Sequence, residues 1–199
     1  MSVLIINGSL SSKNGNCNVL IRKISSLIGQ NSKFSKADVK VLHLADQKWS
    51  PSEKKKLILQ INKASGFFFV TGTYWDSWGS PLQVFLENIT ELEGKSEVLG
   101  KPVVVCVLNH SVGGKGVLSR LQGVLSTFGF LIPPMSGFVY SWVNQEAASN
   151  SGDGRFKDDL WSIEDLVPII ENFKRSLKLK TKWKSWPVDR KNFRQVWMK

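Results

Sequence analysis

The sequence is poor in the residues that build metal centres and covalent cross-links. Only two cysteines, Cys17 and Cys106, and two histidines, His43 and His110, occur among its 199 residues. We expect Cys17 on the first helix and Cys106 inside a buried strand, a placement that suits neither a disulfide framework nor a zinc site. The cysteine and histidine content therefore argues against a metal-dependent or disulfide-stabilised protein.

Long hydrophobic runs are also missing. No apolar stretch is long enough to cross a bilayer, and neither end has the charged, apolar and small-residue segments of a secretory signal. A chain of 199 residues has the length of one domain with a sizeable core. These features predict a soluble, cytoplasmic protein.

Acidic residues are scarce at the C-terminal end. The formal net charge is +11, and residues 174–199 carry +9 of it because ten cations there accompany the single Asp189. We therefore expect a folded domain over residues 1–178 and a basic, Trp-rich extension over residues 179–199. Cations that alternate with aromatic rings suit nucleic acid or an anionic membrane. We favour the alternative that the tryptophans pack on the body or on a second subunit, because such rings need a surface.

Short apolar runs alternate with amphipathic segments along the chain. The runs are continuous rather than alternating in hydrophobicity, which is typical of parallel strands covered on both faces. Strands are predicted at residues 3–6, 39–44, 67–71, 103–108 and 130–132, and helices at residues 18–28, 53–64, 82–92, 116–128 and 162–177. The pattern predicts an α/β fold, a flavodoxin-like three-layer sandwich whose five-stranded parallel sheet has the order 2-1-3-4-5.

Two further segments have no predicted chemistry. The loop after the second strand, residues 45–52, contains Trp49 and Pro51, which indicate packing and a helix start. Residues 138–143 are apolar and residues 144–155 are polar with a Ser-Gly-Asp-Gly sequence, which indicates an extended excursion before the last helix. A short hairpin, an oligomer arm and a surface loop are equally compatible with that excursion.

The loop after the first strand is crowded with glycine, serine and asparagine and leads into a helix. Backbone N–H groups at a helix N-terminus are free to hold a dianion, and Ser9, Ser11, Ser12, Asn16 and Asn18 offer further donors. The loop matches neither G-x-G-x-x-G nor G-x-x-x-x-G-K-[ST]. Helix capping alone favours such residues but needs only one of them. A mononucleotide such as FMN is the remaining candidate.

Two other loops follow strands three and four, whose carboxyl ends meet the first loop in this sheet order. The rings and backbone amides of Thr73, Tyr74, Trp75, Asp76 and Ser77 suit an isoalloxazine, although exposed rings also mark subunit interfaces. The loop after strand four offers donors to the polar edge of such a ring, although an ordinary loop role for its histidine is the simpler alternative. Its candidate residues are Asn109, His110, Ser111, Gly113 and Gly114.

The three loops together resemble the NAD(P)H-dependent FMN reductase-like family, the flavodoxin-like group that includes quinone, azo and chromate reductases. The resemblance covers residues 3–177. It rests on Gly8-Ser9-Leu10-Ser11, Asn16-Cys17-Asn18, Thr71-Gly72-Thr73-Tyr74, Pro81-Leu82-Gln83-Val84-Phe85-Leu86, Gly113-Gly114 and Gly154-Arg155-Phe156-Lys157-Asp158. The chain departs from the pattern at Ser11 (usually Arg), Gly72 (usually Pro) and Gln83 (usually Lys), and we expect Lys13 to restore the charge.

The resemblance implies FMN and NAD(P)H as cofactors and a homodimer or homotetramer. Ser9, Ser11, Asn16 and Asn18 would hold the phosphate, residues 74–77 the isoalloxazine edge, and residues 110–114 the opposite end of the ring. Cys17 is also among the expected cofactor-binding residues. No side chain is expected to be catalytic, because flavins carry hydride and electron transfer themselves. The implied reaction passes hydride through FMN to a small acceptor, such as free flavin or a quinone.

Two alternatives remain open. An electron carrier of the flavodoxin type would bind FMN but react poorly with nicotinamide, and such carriers are usually acidic, unlike this chain. A binding protein that uses its basic extension is the other alternative.

Overall fold

The core of the molecule is a five-stranded parallel sheet. A computed structural model describes residues 1–29, 39–150 and 162–187. The strands run in the order β2-β1-β3-β4-β5, and every neighbouring pair is parallel. They are β1 (Val3–Asn7), β2 (Val39–His43), β3 (Gly66–Gly72), β4 (Val103–Asn109) and β5 (Gly137–Ser141). The predicted fold class and strand order are confirmed.

Helices cover both faces of the sheet and make the outer two layers. In the described part of the chain they are α1 (Asn16–Gly29), α2 (Pro51–Lys63), α3 (Ser80–Asn88), α4 (Gly114–Phe128), α5 (Trp142–Asn150) and α6 (Leu166–Ser176). Helices α2, α3 and α4 bury their apolar faces on one side of the sheet, and α1 and α6 on the other. Because successive side chains of a strand point to opposite faces, continuous apolar strands supply both cores.

The fifth strand lies elsewhere than predicted. Residues 130–132 make only an isolated bridge between Leu131 and Pro102, whereas Gly137–Ser141 pairs with β4. Phe130 instead fills the core, with its ring centroid 5.2 Å from that of Phe67. Pro133 and Pro134 follow immediately and have no N–H to donate to a sheet. The apolar run at 130–132 therefore reflects core burial rather than a strand.

The predicted excursion before the last helix is also wrong. Residues 138–141 belong to β5, and residues 142–150 form α5, in which only Ala148 is buried; the rest of the predicted excursion, residues 151–155, lies outside the described residues. Its sequence lacks the apolar stripe that marks a packed helix, so periodicity gave no signal. The Gly-Arg motif of residues 154–158 lies outside the described residues. Helix α3 is shorter than predicted and ends at Asn88, before a 3₁₀ turn at Thr90–Leu92.

The start of the C-terminal extension contacts the body at the amino edge of the sheet. The Trp183 indole lies against Gly100, which has a φ of +75° and leaves no room for a side chain beneath the ring. Trp186 donates from Nε1 to Glu93 Oε1 at 2.9 Å. Both indoles are half-exposed, and Lys178, Lys180, Lys182 and Lys184 are exposed beside them. Residues 188–199 lie outside the described residues.

The described ranges meet the requirements of neither a membrane-spanning helix nor a metal site. No helix there has the length and hydropathy to cross a membrane, and no three His, Cys, Asp or Glu side chains group as metal ligands. The cytoplasmic location stays a prediction.

Candidate functional site

A cavity of about 990 Å³ opens at the carboxyl ends of β1, β3 and β4. Its size lies at the upper end of the range of small-molecule sites, about 300–1,000 Å³. Of the residues predicted from the sequence, it is lined by Ser9, Ser11, Asn16, Cys17, Thr73, Tyr74, Asn109 and His110. Three loops that are distant in the sequence therefore meet at one cavity.

The remaining predicted residues do not line this cavity. They are Asn18, Trp75, Asp76, Ser77, Ser111, Gly113 and Gly114. Each lies on one of the three loops or in the first turn of the helix that follows the loop. These residues either hold the loop in shape or face outward, as described below.

The first loop joins β1 to α1 through a 3₁₀ turn at Ser12–Asn14. Asn18 donates from Nδ2 to the Lys13 carbonyl at 2.6 Å, so its amide closes the loop from outside the cavity. The first turn of α1 contains no acidic residue, and Lys23 on that helix lines the cavity. Lys13, from which the sequence led us to expect the positive charge, is not among the lining residues. The helix N-terminus and Lys23 together favour an anion.

Three of the residues that line the cavity each have a buried polar atom that lacks a hydrogen-bond partner among the described residues. These atoms are Ser9 Oγ, Thr73 Oγ1 and Asn109 Oδ1, and each belongs to a different loop. An unsatisfied buried polar group costs about 1–3 kcal/mol, so three of them around one cavity indicate groups that a ligand completes. Ser136 Oγ is a fourth such atom, but Ser136 does not line the cavity.

A tight turn determines the shape of the second loop. Tyr74 and Ser77 exchange backbone hydrogen bonds of 2.8 and 2.9 Å across it. Trp75 and Asp76 occupy its centre with φ values of +49° and +55°, as a type I′ turn requires. The Trp75 side chain is fully exposed at the tip, so the turn directs Tyr74 alone into the cavity.

The third loop is folded behind Asn109. Asn109 Nδ2 and Ser141 Oγ both donate to the Ser111 carbonyl, each at 2.7 Å. Gly113 has a φ of +89° and packs against the Asp76 carboxylate. A Cβ on Gly114 would collide with Asn109 Oδ1 and would lie 2.6 Å from Val139 Cγ1. Ser111 and the two glycines therefore position Asn109 without lining the cavity.

The sequence pattern did not identify two aromatic residues of the cavity, because it predicted strand five at residues 130–132 rather than at Gly137–Ser141. Tyr140 ends β5 and Trp142 begins α5, and both line the cavity. The Trp142 ring lies 5.1 Å from the His110 ring, centroid to centroid, at a tilt of 41°. The rule that ligands bind at strand carboxyl ends would have found them at the true β5. The other missed lining residues are Asn14, Gly15, Val19, Leu20, Lys23, Gly72, Leu108 and Ile163.

The Cys17 thiol faces the cavity but is not activated. Burial raises its pKa to about 11, and the neighbouring Ser9 side chain lowers it by a smaller amount. Burial also raises the pKa of Cys106, inside β4. Since the thiolate is the nucleophilic form, Cys17 is a packing residue at neutral pH.

The sheet order and the cavity at its carboxyl edge define a flavodoxin-like α/β protein. Residues 1–144 match the family model described as NADPH-dependent FMN reductase. The chain belongs to that family, so it is an NAD(P)H-dependent, FMN-containing oxidoreductase of the FMN and quinone reductase type. The resemblance and the cofactors inferred from the loops are confirmed. No curated protein matches the chain.

Solved structures share the fold at low sequence identity. RosB, solved with bound 8-demethyl-8-formylriboflavin-5'-phosphate, has a TM-score of 0.69 and 16% identity, over 89% of this chain and 79% of RosB. An apo NADH:FMN oxidoreductase, EMOB, has a TM-score of 0.64 and 17% identity, over 91% of each chain. A flavodoxin from Pseudomonas aeruginosa has a TM-score of 0.57 and 18% identity, over 89% of this chain and 99% of the flavodoxin.

Proposed function

We propose that the cavity holds FMN and that the enzyme transfers hydride from NAD(P)H through FMN to a small acceptor such as free flavin or a quinone. The observation that carries the proposal is that Ser9, Thr73 and Asn109 line one cavity from three different loops, and each has a buried polar atom with no hydrogen-bond partner among the described residues. Bound FMN supplies the hydride and electron chemistry itself. The side chains bind and orient.

The phosphate end of the ligand belongs at the start of α1. Ser9 Oγ donates a hydrogen bond there, Ser11 and Asn16 line the same wall, and the first amides of α1 have no intrahelical partner. Lys23 supplies a cation near these donors. Because hydrogen bonds to a charged group are about twice as strong as neutral ones, this end contributes a large share of the affinity.

The ring end belongs between the second and third loops. Asn109 Oδ1 accepts and Thr73 Oγ1 donates, a pair that complements the imide N–H and carbonyls of a flavin pyrimidine edge. Tyr74, Tyr140 and Trp142 provide flat walls for the ring faces. No Asp or Glu belongs to the described lining residues, so the cavity accepts an electron-rich ring without charge repulsion.

Absorbance spectroscopy of the purified full-length protein tests the proposal. We expect added FMN to bind with quenched fluorescence, NADH or NADPH to bleach the bound flavin, and excess riboflavin or a water-soluble quinone to restore the colour. A protein that takes up no FMN contradicts the cofactor site. FMN that binds but stays oxidised in stopped-flow mixing with either nicotinamide indicates the electron carrier instead.

We also propose that the protein is a homodimer in solution. Large apolar side chains are exposed at the cavity rim: Trp75 fully, Val112 at 78% and Trp142 at 51%. Clustered exposed apolar residues are typical of association surfaces. Sedimentation velocity should give a dimer for the parent protein and a monomer for Trp75→Glu. A parent protein that sediments as a monomer at micromolar concentration contradicts this assembly.

A further inference from the structure

The loop after β2 is connected to the proposed phosphate loop by a buried asparagine. Asn7, at the end of β1, is fully buried and is the register partner of His43, at the end of β2. Asn7 Oδ1 accepts from the Ser9 N–H at 3.1 Å, and Asn7 Nδ2 lies 2.9 Å from the Ser12 carbonyl and 3.0 Å from His43 Nδ1. The Asn7 side chain thus connects His43, at the end of β2, to both Ser9 and Ser12 of the first loop.

The contacts of Asn7 determine the protonation of His43. The Ser9 N–H can only donate and the Ser12 carbonyl can only accept, so Asn7 must present its oxygen to Ser9 and its NH₂ to Ser12. The second hydrogen of that NH₂ points to His43 Nδ1. Nδ1 must therefore carry a lone pair, and the proton of the neutral ring is on Nε2.

Ser12 is held in an unfavourable conformation by the same region. Its φ of +47° is rare for a residue with a side chain and persists only where surrounding contacts enforce it. Asn7 Nδ2 holds its carbonyl, and its hydroxyl donates to Asp46 Oδ2 in the 3₁₀ turn Leu44–Asp46 that follows β2. His43 and Asp46 therefore support the loop from behind.

We infer that His43, which does not line the cavity, is a positioning residue of the phosphate loop: its neutral imidazole holds Asn7, Asn7 holds Ser9 and Ser12, and acidification that protonates His43 weakens FMN binding. The inference rests on the proposed function for the identity of the ligand. The connection between His43 and the loop rests only on hydrogen bonds within the protein.

Protonation of His43 removes the acceptor that Asn7 uses. A hydrogen on Nδ1 would face the Asn7 NH₂, and turning the amide over would present the wrong atoms to Ser9 and Ser12. The loop then has no arrangement that keeps all three hydrogen bonds. Ser9, whose Oγ is one of the unpartnered atoms of the cavity, shifts with it.

The charges around His43 agree with a neutral ring at physiological pH. Burial lowers its pKa from the ordinary 6.5, Lys13 on the loop lowers it further, and Asp46 raises it. These are the charged groups that act on the ring in the described structure. Because the folded state disfavours the imidazolium, the support is complete above about pH 6.5 and is lost as the pH falls below that value.

Nuclear magnetic resonance of the full-length protein without FMN tests the connection directly. We expect an unprotonated Nδ1 on His43 at neutral pH, and amide signals of Ser9 and Ser12 that titrate with the same apparent pKa as the ring. In His43→Asn, whose amide oxygen can accept from Asn7 but does not titrate, both amides should stay constant between about pH 8 and about pH 5.5. If the amide signals of Ser9 and Ser12 in the parent protein do not titrate with the His43 ring, the inference is overturned, whether or not FMN binds.

Fluorescence titration with FMN tests the consequence. Its phosphate titrates near pH 6 in every variant, so the variants, not the parent curve alone, isolate the contribution of His43. We expect Kd to rise on acidification by about 3- to 10-fold more in the parent than in His43→Asn, and to be high at every pH in His43→Ala. Equal pH profiles for the parent and His43→Asn, or tighter binding at low pH that His43→Asn abolishes, overturn the inference.

Discussion

Ser9 shows how a residue with no reactive chemistry decides what the site can bind. Its hydroxyl is buried and has no hydrogen-bond partner among the described residues, and its N–H donates to Asn7 Oδ1, which fixes the backbone of the loop at this point. A buried hydroxyl without a partner costs stability, and a hydrogen bond to a phosphate oxygen would recover that loss.

Replacing Ser9 by alanine should therefore weaken FMN binding without damage to the fold. We expect Kd for FMN to rise about 10- to 100-fold, the effect of one hydrogen bond to a charged group, while the melting temperature of the unliganded protein stays the same or rises slightly. Fluorescence titration and differential scanning calorimetry measure the two quantities.

Ser136→Ala is the matched control for this change. Ser136 Oγ is also buried and unpartnered but lies outside the cavity, so its removal should leave Kd unchanged. If both variants lose the same affinity, the effect is general and Ser9 is not a ligand of the phosphate.

The sequence predicted cavity residues best where the backbone alone places them. Ser9, Thr73 and Asn109 lie one to three residues beyond the ends of predicted strands, and the carboxyl end of a parallel strand carries its next residues to this edge of the sheet. Asn18 and Trp75 have suitable chemistry but point away, because one caps the first loop and the other occupies the tip of a type I′ turn. Side-chain direction inside a loop depends on hydrogen bonds that composition does not reveal.

At the scale of elements, helix α4 contains two glycines whose surroundings differ, one closely packed and one open. Gly114, in its first turn, contacts Asn109 and Val139 so closely that no Cβ fits, whereas Gly123, in its middle, is exposed and has open space around it. The first glycine lets the helix approach the cavity, and the second only weakens the helix.

Alanine at these two positions should have contrasting effects. Gly123→Ala should stabilise the protein by about 0.5–1 kcal/mol, which raises the melting temperature by about 1–4 °C, and should leave FMN affinity unchanged. Gly114→Ala should displace Asn109 and weaken FMN binding about tenfold or more. Thermal melts and fluorescence titrations compare them, and a Gly114→Ala protein with parental Kd contradicts the assigned role of Asn109.

Strand β5 and helix α5 show where element prediction failed. The run at residues 130–132 and β5 are both apolar and short, and only β5 pairs with β4. The choice between them depends on contacts with residues about 30 positions earlier, such as Val105 with Gly137. Local hydrophobicity cannot distinguish a core-filling turn from a buried strand of the same length.

At the scale of the whole molecule, the proposed flavin site and the described start of the C-terminal extension, residues 179–187, lie at opposite edges of the sheet. Residues from Ser9 to Ile163 line the cavity, whereas Trp183 and Trp186 contact the connections that precede β4 and β5. The domain boundary that we propose after residue 178 therefore separates the extension from every described cavity residue.

Removal of residues 179–199 should leave FMN binding within about twofold of the parent, since no cavity residue is lost. The net charge falls from +11 to +5. Loss of the two indole contacts should lower stability by about 2 kcal/mol. Circular dichroism melts and FMN titrations measure both quantities.

The full-length variant Trp183→Ala separates packing from charge in this experiment. It should show much of the same loss of stability at the unchanged net charge of +11. A truncated protein that melts like the parent but no longer binds FMN would place part of the site in the extension and contradict the proposed boundary.

The sequence by itself determined the α/β class, the strand order and the edge at which the cavity opens, because these follow from local signals: continuous apolar runs, amphipathic helices and Gly, Ser and Asn after strands. Tertiary structure alone decided which loop residues face the cavity, that Tyr140 and Trp142 complete it, and that His43 supports the first loop through Asn7. These features depend on side-chain directions and on contacts between residues far apart in the chain, and neither leaves a periodic trace in the sequence.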